Sequence, residues 1–287
     1  MSEFSTPSGH DAVSAALQRL TTEPTNAQIV SPSPTEHPAA DPADRTTSVA
    51  GWWSCATLCE PSFWQSLARS YSTGLGTEHL PVGGACALQH YAGRFVLPAL
   101  GVWVQTGSLL SMDHPAWRVR FDDDGRTTGM TPPTGQTATP AGVTDAAHAL
   151  LHNHMRPIVD AVRSASRITD RVAYGCIAAS CAGAFAALHR RASPNDRPTV
   201  TDLAQQFLSS PAWPVDRALV ELTEVPVQRG TGLVHQRHTC CLIRLGAERG
   251  ACGSCPDIDP DERWARLTRH ADRVNHTHDL PVATHGN

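Results

Sequence analysis

The chain carries no excess of basic charge. Its 23 Lys and Arg residues stand against 27 Asp and Glu, for a formal net charge of −4 over 287 residues. No field is available to favour nucleic acid or an anionic membrane. The start, Met1-Ser2-Glu3-Phe4-Ser5-Thr6, lacks the positive stretch and following apolar run of a standard secretory leader. Long apolar runs are missing as well. One uncharged run, Val172 to Leu188, falls short of the about 20 predominantly apolar residues that span a bilayer. Its Ala, Gly, Ser and Cys suit a helix buried between neighbours. No G-x-G-x-x-G follows a strand, so a dinucleotide fingerprint is also lacking, and Gly74-Leu75-Gly76 reads as a turn. Aromatics make up only 6%, with seven Trp, most of them expected in the core. These absences exclude a nucleic-acid partner and a transmembrane segment. They place the chain in the cytoplasm, with a peripheral position at the inner face of the membrane as a variant.

What is present in unusual amount is cysteine. Nine Cys are many for a cytosolic chain, and the odd number does not suit a disulfide framework. Clustered thiols in a reducing compartment point to metal binding or redox chemistry.

The length suffices to bury a sizeable core. Residues 1–48 are expected to form a flexible tail, with a short amphipathic helix on Ala12, Val13, Ala16, Leu17 and Leu20. It is followed by a Pro/Ser/Thr/Ala/Asp stretch too polar to offset its ordering entropy. Phe63, Trp64, Leu67 and Tyr71 have helical spacing after Pro61. His79 to Trp103 reads as one or two buried helices, with strand as the alternative. Trp117-Arg118-Val119-Arg120-Phe121 alternates as a half-buried strand, and Asp122-Asp123-Asp124-Gly125 is the turn of a hairpin. Residues 131–142 form a loop. Helices are expected over Thr144–Ser166, Thr169–Arg191, Thr199–Leu208 and from Asp259-Pro260 onward, the last with Trp264, Leu267, Ala271 and Val274 on its apolar face. The sum is an α+β fold: a mainly helical body over 49–230 that binds substrate, a small antiparallel sheet, a cysteine-rich cluster-binding segment over 231–275, and a flexible tail over 276–287.

The chemistry lies in Cys240-Cys241, ten further residues, and Cys252-Gly253-Ser254-Cys255-Pro256. Four thiolates within sixteen residues are soft, anionic ligands suited to a metal centre. Adjacent side chains of an extended strand point to opposite faces. Cys240 and Cys241 therefore share one centre only if the backbone turns locally. A two-iron cluster with ligands on both irons tolerates that better than one tetrahedral ion, since zinc sites favour pairs two to four residues apart. Spacing leaves three readings: iron–sulfur, structural zinc, and a redox dithiol.

Arg237-His238-Thr239-Cys240-Cys241-Leu242-Ile243-Arg244 together with Cys252-Gly253-Ser254-Cys255-Pro256 resembles the C-terminal signature of the FhuF-type ferric-siderophore reductases. The resemblance implies that Cys240, Cys241, Cys252 and Cys255 all ligate a [2Fe–2S] cluster. Weaker likeness runs through Leu97-Pro98-Ala99-Leu100-Gly101, His152-Asn153-His154-Met155-Arg156-Pro157 and Arg171-Val172-Ala173-Tyr174-Gly175, so that it covers about residues 51–275. Where the family often shows Trp-Gly-Asn, this chain has Tyr174-Gly175-Cys176.

The function expected is an iron–sulfur oxidoreductase that reduces ferric siderophore iron to Fe(II). Fe(II) is held far less tightly by hard oxygen donors, so reduction releases it. A hydroxamate-type chelate is favoured, because the chain is mildly acidic and has no dense cationic cluster for a highly anionic one. Without a dinucleotide fingerprint, electrons must come from a separate carrier such as a ferredoxin or flavoprotein. The alternative is a non-enzymatic protein that binds a siderophore or a partner and carries structural zinc on the same four Cys.

Other residues have plainer readings. His235 and His238 are loop histidines or hydrogen-bond donors to the cluster, and His148 with His152 is a His pair lacking a third ligand. Cys55, Cys59, Cys176 and Cys181 are packing residues, and Arg118 and Arg120 face solvent.

Overall fold

The computed structural model describes residues 9–21, 49–133, 138–228, 230–246, 250–274 and 281–283. Along these the chain runs α1 (Gly9–Thr21), β1 (Gly51–Ser54), α2 (Pro61–Gly74), α3 (Leu80–Thr106), β2 (Ser108–Leu109), β3 (Arg118–Phe121), β4 (Thr127–Thr131) and β5 (Thr139–Pro140). It continues through α4 (Val143–His148), α5 (Arg156–Ser166), α6 (Asp170–Arg191), α7 (Arg197–Leu208), β6 (Val220–Val227), β7 (Gly230–Arg237) and α8 (Pro260–Val274). The architecture is α+β and mainly helical, with small antiparallel sheets and a cysteine-rich C-terminal segment.

Helix α3 is the axis of the molecule. Its apolar residues run all round the helix rather than along one stripe, as expected of a helix with neighbours on every side. It ends at Gly107, whose left-handed φ of 69° lets its N–H return to the Trp103 carbonyl. Helix α6 packs along it. Thr169 starts α6 by accepting a hydrogen bond from the Val172 N–H, and small residues then allow close helix contact. By length and composition α6 could cross a membrane, but 78% of its most apolar window is buried inside the fold.

Helix α4, a π-helical stretch over Ala149–Met155 and α5 are continuous, which matches the single helix expected over Thr144–Ser166. The sheet β1-β3-β4 matches the expected hairpin: Val119 and Phe121 point inward, and Arg120 is exposed. The expected loop over 131–142 contains the two-residue strand β5, paired with β2; residues 134–137 lie outside the described residues.

Two boundaries need correction. The tail expected over 1–48 is docked over part of its length: α1 buries Val13, Ala16 and Leu20 against α3. Leu20 sits where a Cβ on Gly101 would meet its Cδ1 at 2.7 Å. Polar contacts add to the docking, with Arg19 Nε donating to Gln105 Oε1 at 2.8 Å and Arg191 donating to the Arg19 carbonyl. Apolar burial of one face thus outweighs the polar composition that follows it; residues 22–48 lie outside the described residues. The other correction concerns the division at 230/231, which cuts a hairpin. Strands β6 and β7 pair from Val220↔Arg237 to Val227↔Gly230, so the C-terminal unit begins with β6. Of the expected C-terminal tail over 276–287, residues 281–283 are described, and the Ala283 N–H donates to the Val104 carbonyl.

Candidate metal centre

Strand β7 delivers the cysteine motif onto α6. At the contact, Thr239 lies so close to Gly175 that a Cβ there would fall 1.9 Å from its Oγ1. Beyond it the chain makes the local turn that adjacent cysteines require. Leu242 takes a left-handed φ of 65°, rare for a residue with a side chain. Its N–H then points back at Cys240 Sγ, 3.3 Å away. The second arm is also a tight turn, closed by the Cys255 N–H on the Cys252 carbonyl at 3.0 Å. Arg263 of α8 clamps it by donating to the Cys255 carbonyl at 3.3 Å.

The two arms meet in cross-pairs. Cys240 and Cys255 approach one another, and with Asp257 their ligand atoms all lie within 4.8 Å. These three residues are placed to hold a metal ion. Cys241 and Cys252 are neighbours close enough for each thiol to shift the other's titration. No trio of thiols reaches the 4.8 Å spacing among the described residues. The cysteines thus form two neighbouring pairs rather than one tetrahedral cage. All nine cysteines are free.

The electrostatics of the pairs are unequal. Hydrogen bonds from Cys252 and Cys86 pull the Cys241 thiol far below its usual range, helped by Arg237 and the Ile243 N–H and opposed by burial. Cys252 and Cys86, as the donors, are pushed up. Burial raises Cys240, against the Leu242 N–H. Asp257, on the solvent side, pairs with Arg244 at 2.6 Å.

Two residues that spacing did not single out belong here. Cys86, from the middle of α3, is buried against the motif, with its thiol donating to the Cys241 carbonyl at 3.5 Å. Only the fold brings it across 155 positions. Arg237, three residues before the first cysteine, is 1% exposed. It donates through Nε to the Thr239 carbonyl, through Nη1 to Gln89 Oε1 at 2.6 Å, and through Nη2 to Cys176 Sγ at 3.7 Å. Cys176, expected only to pack, is the Arg237 partner on α6.

The remaining candidates stay apart from the centre. His238 is exposed, while burial lowers half-buried His235 to about 4 and keeps it neutral. His148 and His152 stack at 4.7 Å, with His152 Nε2 bonded to the Ala212 carbonyl. Cys55 and Cys181 are buried in the core. A cleft of about 730 Å³ opens between α6, α7 and β6, lined by Gln205, Trp213, Asp216, Arg217 and Leu219 among others. It adjoins the cysteine segment, since the Leu219 carbonyl accepts the His238 N–H at 2.9 Å.

No protein-family model matches the chain, and no curated protein matches it.

Proposed function

We propose that this chain is a cytoplasmic iron–sulfur oxidoreductase that reduces ferric siderophore iron to Fe(II), with a [2Fe–2S] cluster on Cys240, Cys241, Cys252 and Cys255. The observation that carries the reading is the cross-pairing of thiols. Cys240 with Cys255 and Cys241 with Cys252 would give each iron one ligand from either arm, an arrangement that fits a two-iron rhomb better than one tetrahedral ion. When bound, such a cluster supplies a single electron at a time, the stoichiometry of Fe(III) to Fe(II).

The protein's own residues hold and expose the site. Leu242 and the Cys252–Cys255 turn fix the two arms, and Gly175 seats them on α6. Leu245, four residues past Cys241, and Trp264, next to Arg263 on α8, are the exposed large hydrophobics among the described residues, and to them we assign the face for an external donor such as a ferredoxin or flavoprotein. The chelate is assigned to the cleft beside His238, where Asp216 balances Arg217 and Trp213 offers a flat apolar face. That lining suits a near-neutral ferric hydroxamate complex.

The test is to mix dithionite-reduced protein with ferric hydroxamate siderophore in a stopped-flow instrument. Reoxidation of the cluster should run in step with Fe(II) captured by a chromogenic chelator. A cluster that stays reduced beside excess ferric siderophores of several types overturns the reductase reading.

A second reading has its own observation. Cys240, Cys255 and Asp257 alone could hold one structural zinc in a non-enzymatic binding protein. Colour separates the two: the aerobically purified iron–sulfur protein is red-brown with iron and sulfide in equal amounts, and the zinc protein is colourless.

A further inference from the structure

We propose that Arg237 is the built-in counter-cation of the metal–thiolate centre, a positioning residue that holds the centre's negative charge and sets how readily it accepts an electron. The inference rests on the metal centre of the proposed function but not on its substrate.

Arg237 is 1% exposed, and a guanidinium stays charged in proteins. Removing such a charge from water costs several kcal/mol unless an anion accompanies it. Its three bonded partners are the Thr239 carbonyl, the Gln89 side-chain amide oxygen and the Cys176 thiol. None is a carboxylate, and no ion pair joins it to one among the described residues. The fold has thus buried a cation whose hydrogen bonds are satisfied and whose charge is not. Gln89 and Cys176 fix the plane of the fork from α3 and α6, the two helices that form the rigid centre of the molecule. Besides Cys176, which already bonds it, the groups that remain to balance it are thiols of the motif, and Cys241 and Cys252 both act on Arg237 through space.

A thiolate-ligated metal centre meets this need. Two ferric ions, two sulfides and four thiolates sum to a dianion, and one added electron makes a trianion. A fixed cation beside the site favours the more negative form, so it raises the reduction potential. Were the metal zinc on Cys240, Cys255 and Asp257, two thiolates and a carboxylate would leave a monoanion, and the same cation would favour retention of the ion.

The experiment measures the cluster potential of the loaded protein by mediated redox titration, with no siderophore present. Arg237→Gln should make reduction at least tenfold less favourable, a fall of about 59 mV for one electron. Arg237→Lys should recover part of it. Because Arg237→Gln could lose the cluster altogether, Gln89→Glu supplies an independent arm. It keeps Arg237 and places a carboxylate where Oε1 now lies 2.6 Å from Nη1, so it should lower the potential in the same direction. A merely structural Arg237 is excluded by thermal melts. In metal-free protein Arg237→Met should leave the melting temperature unchanged or raise it, whereas in loaded protein it should lower it. An unchanged potential in Gln89→Glu with the cluster intact, or equal loss of melting temperature with and without metal in Arg237→Met, overturns the inference. If the purified protein is colourless and holds zinc, the cluster reading has failed. The inference is then read by competition with a zinc chelator, where Arg237→Gln should release zinc at least tenfold more readily and equal release overturns it.

Discussion

Gly175 and Thr239 touch with no room between them: a Cβ on the glycine would lie 1.9 Å from the threonine Oγ1 and 2.7 Å from its Cβ. The contact seats the segment between β7 and the first cysteine directly on the backbone of α6. Gly175→Ala is expected to push Thr239 outward and carry Cys240 and Cys241 with it. Overpacking of this kind costs about 1–3 kcal/mol, and metal content should fall several-fold with it. Thr239→Gly in the same chain should restore most of both, a positive coupling in the double-mutant cycle. Full metal content and an unchanged melting temperature in Gly175→Ala would show that the segment has another seat.

The thiol pairs make a separable prediction. Serine at Cys240, Cys241, Cys252 or Cys255 should abolish or strongly perturb the visible spectrum, while Cys55→Ser and Cys181→Ser keep it. Asp257→Asn distinguishes the two readings of the metal site. It should leave a two-iron spectrum in place, because Asp257 is exposed and paired with Arg244, but it should release a single ion held by Cys240, Cys255 and Asp257. An intact spectrum after any one of the four serine substitutions would remove that cysteine from the ligand set.

Much of this was legible in the order of residues, for local reasons. The β3–β4 hairpin followed from alternation around an Asp-rich turn, and α6 and α8 from Thr169 and from Asp259-Pro260 at their starts. The need for a backbone turn beside Cys240-Cys241 followed from strand geometry, and Leu242 provides it. What stayed hidden was long-range. Cys86 reaches Cys241 only because α3 runs beneath the motif. Arg237 reads as an ordinary polar residue at the end of a strand until Gln89 and Cys176 are seen to close over it. The β6–β7 hairpin was missed because Glu224 and Pro226 break the alternation that Val220 and Leu222 begin in its first strand. Helix α1 was recognisable as amphipathic, but whether it docks depends on Gly101, eighty residues away on α3.

That docking can be tested directly. Leu20 is 2% exposed and fills the space above Gly101. Leu20→Ala should cost about 2–5 kcal/mol, the range for a buried leucine whose cavity closes only in part. Removing residues 1–21 should lower the melting temperature further, because Gln105 on α3 loses its contacts to Ala16 and Arg19, and Arg191 loses the Arg19 carbonyl. The cluster spectrum should survive, since α1 packs on the C-terminal half of α3, remote from Cys86. A truncated chain that melts with the full-length protein would show the helix to be dispensable.

His154 is fully buried, stacked on Phe95 at a centroid distance of 3.7 Å and beside the His114 ring at 4.7 Å. Its Nδ1 faces the Met112 carbonyl at 3.0 Å, which can only accept, so that nitrogen carries the proton. Nε2 must then accept from the Tyr91 hydroxyl at 2.7 Å, and the Cys55 thiol can donate in turn to the tyrosine oxygen. A second proton on the ring would turn the Tyr91 hydroxyl onto Cys55 Sγ and leave a buried imidazolium with no carboxylate paired to it among the described residues. Burial, with His114 adding to it and the Met112 bond opposing, lowers it from 6.5 to about 3. Between those values the unfolded chain binds a proton that the folded one refuses, so stability falls as pH drops from 6.5 towards 3 and is flat above. The slope from this one group approaches about 1.4 kcal/mol per pH unit. Buried His189, lowered to about 4, adds in the same direction. Urea titrations of wild type and His154→Gln from pH 7.5 to 4.5 should therefore converge in acid, with the variant less stable at neutral pH but shallower by about one proton below 6.5. Carboxylate effects and metal loss act on both proteins and cancel in the difference. Parallel curves across that window would mean that His154 takes up its proton without leaving the fold.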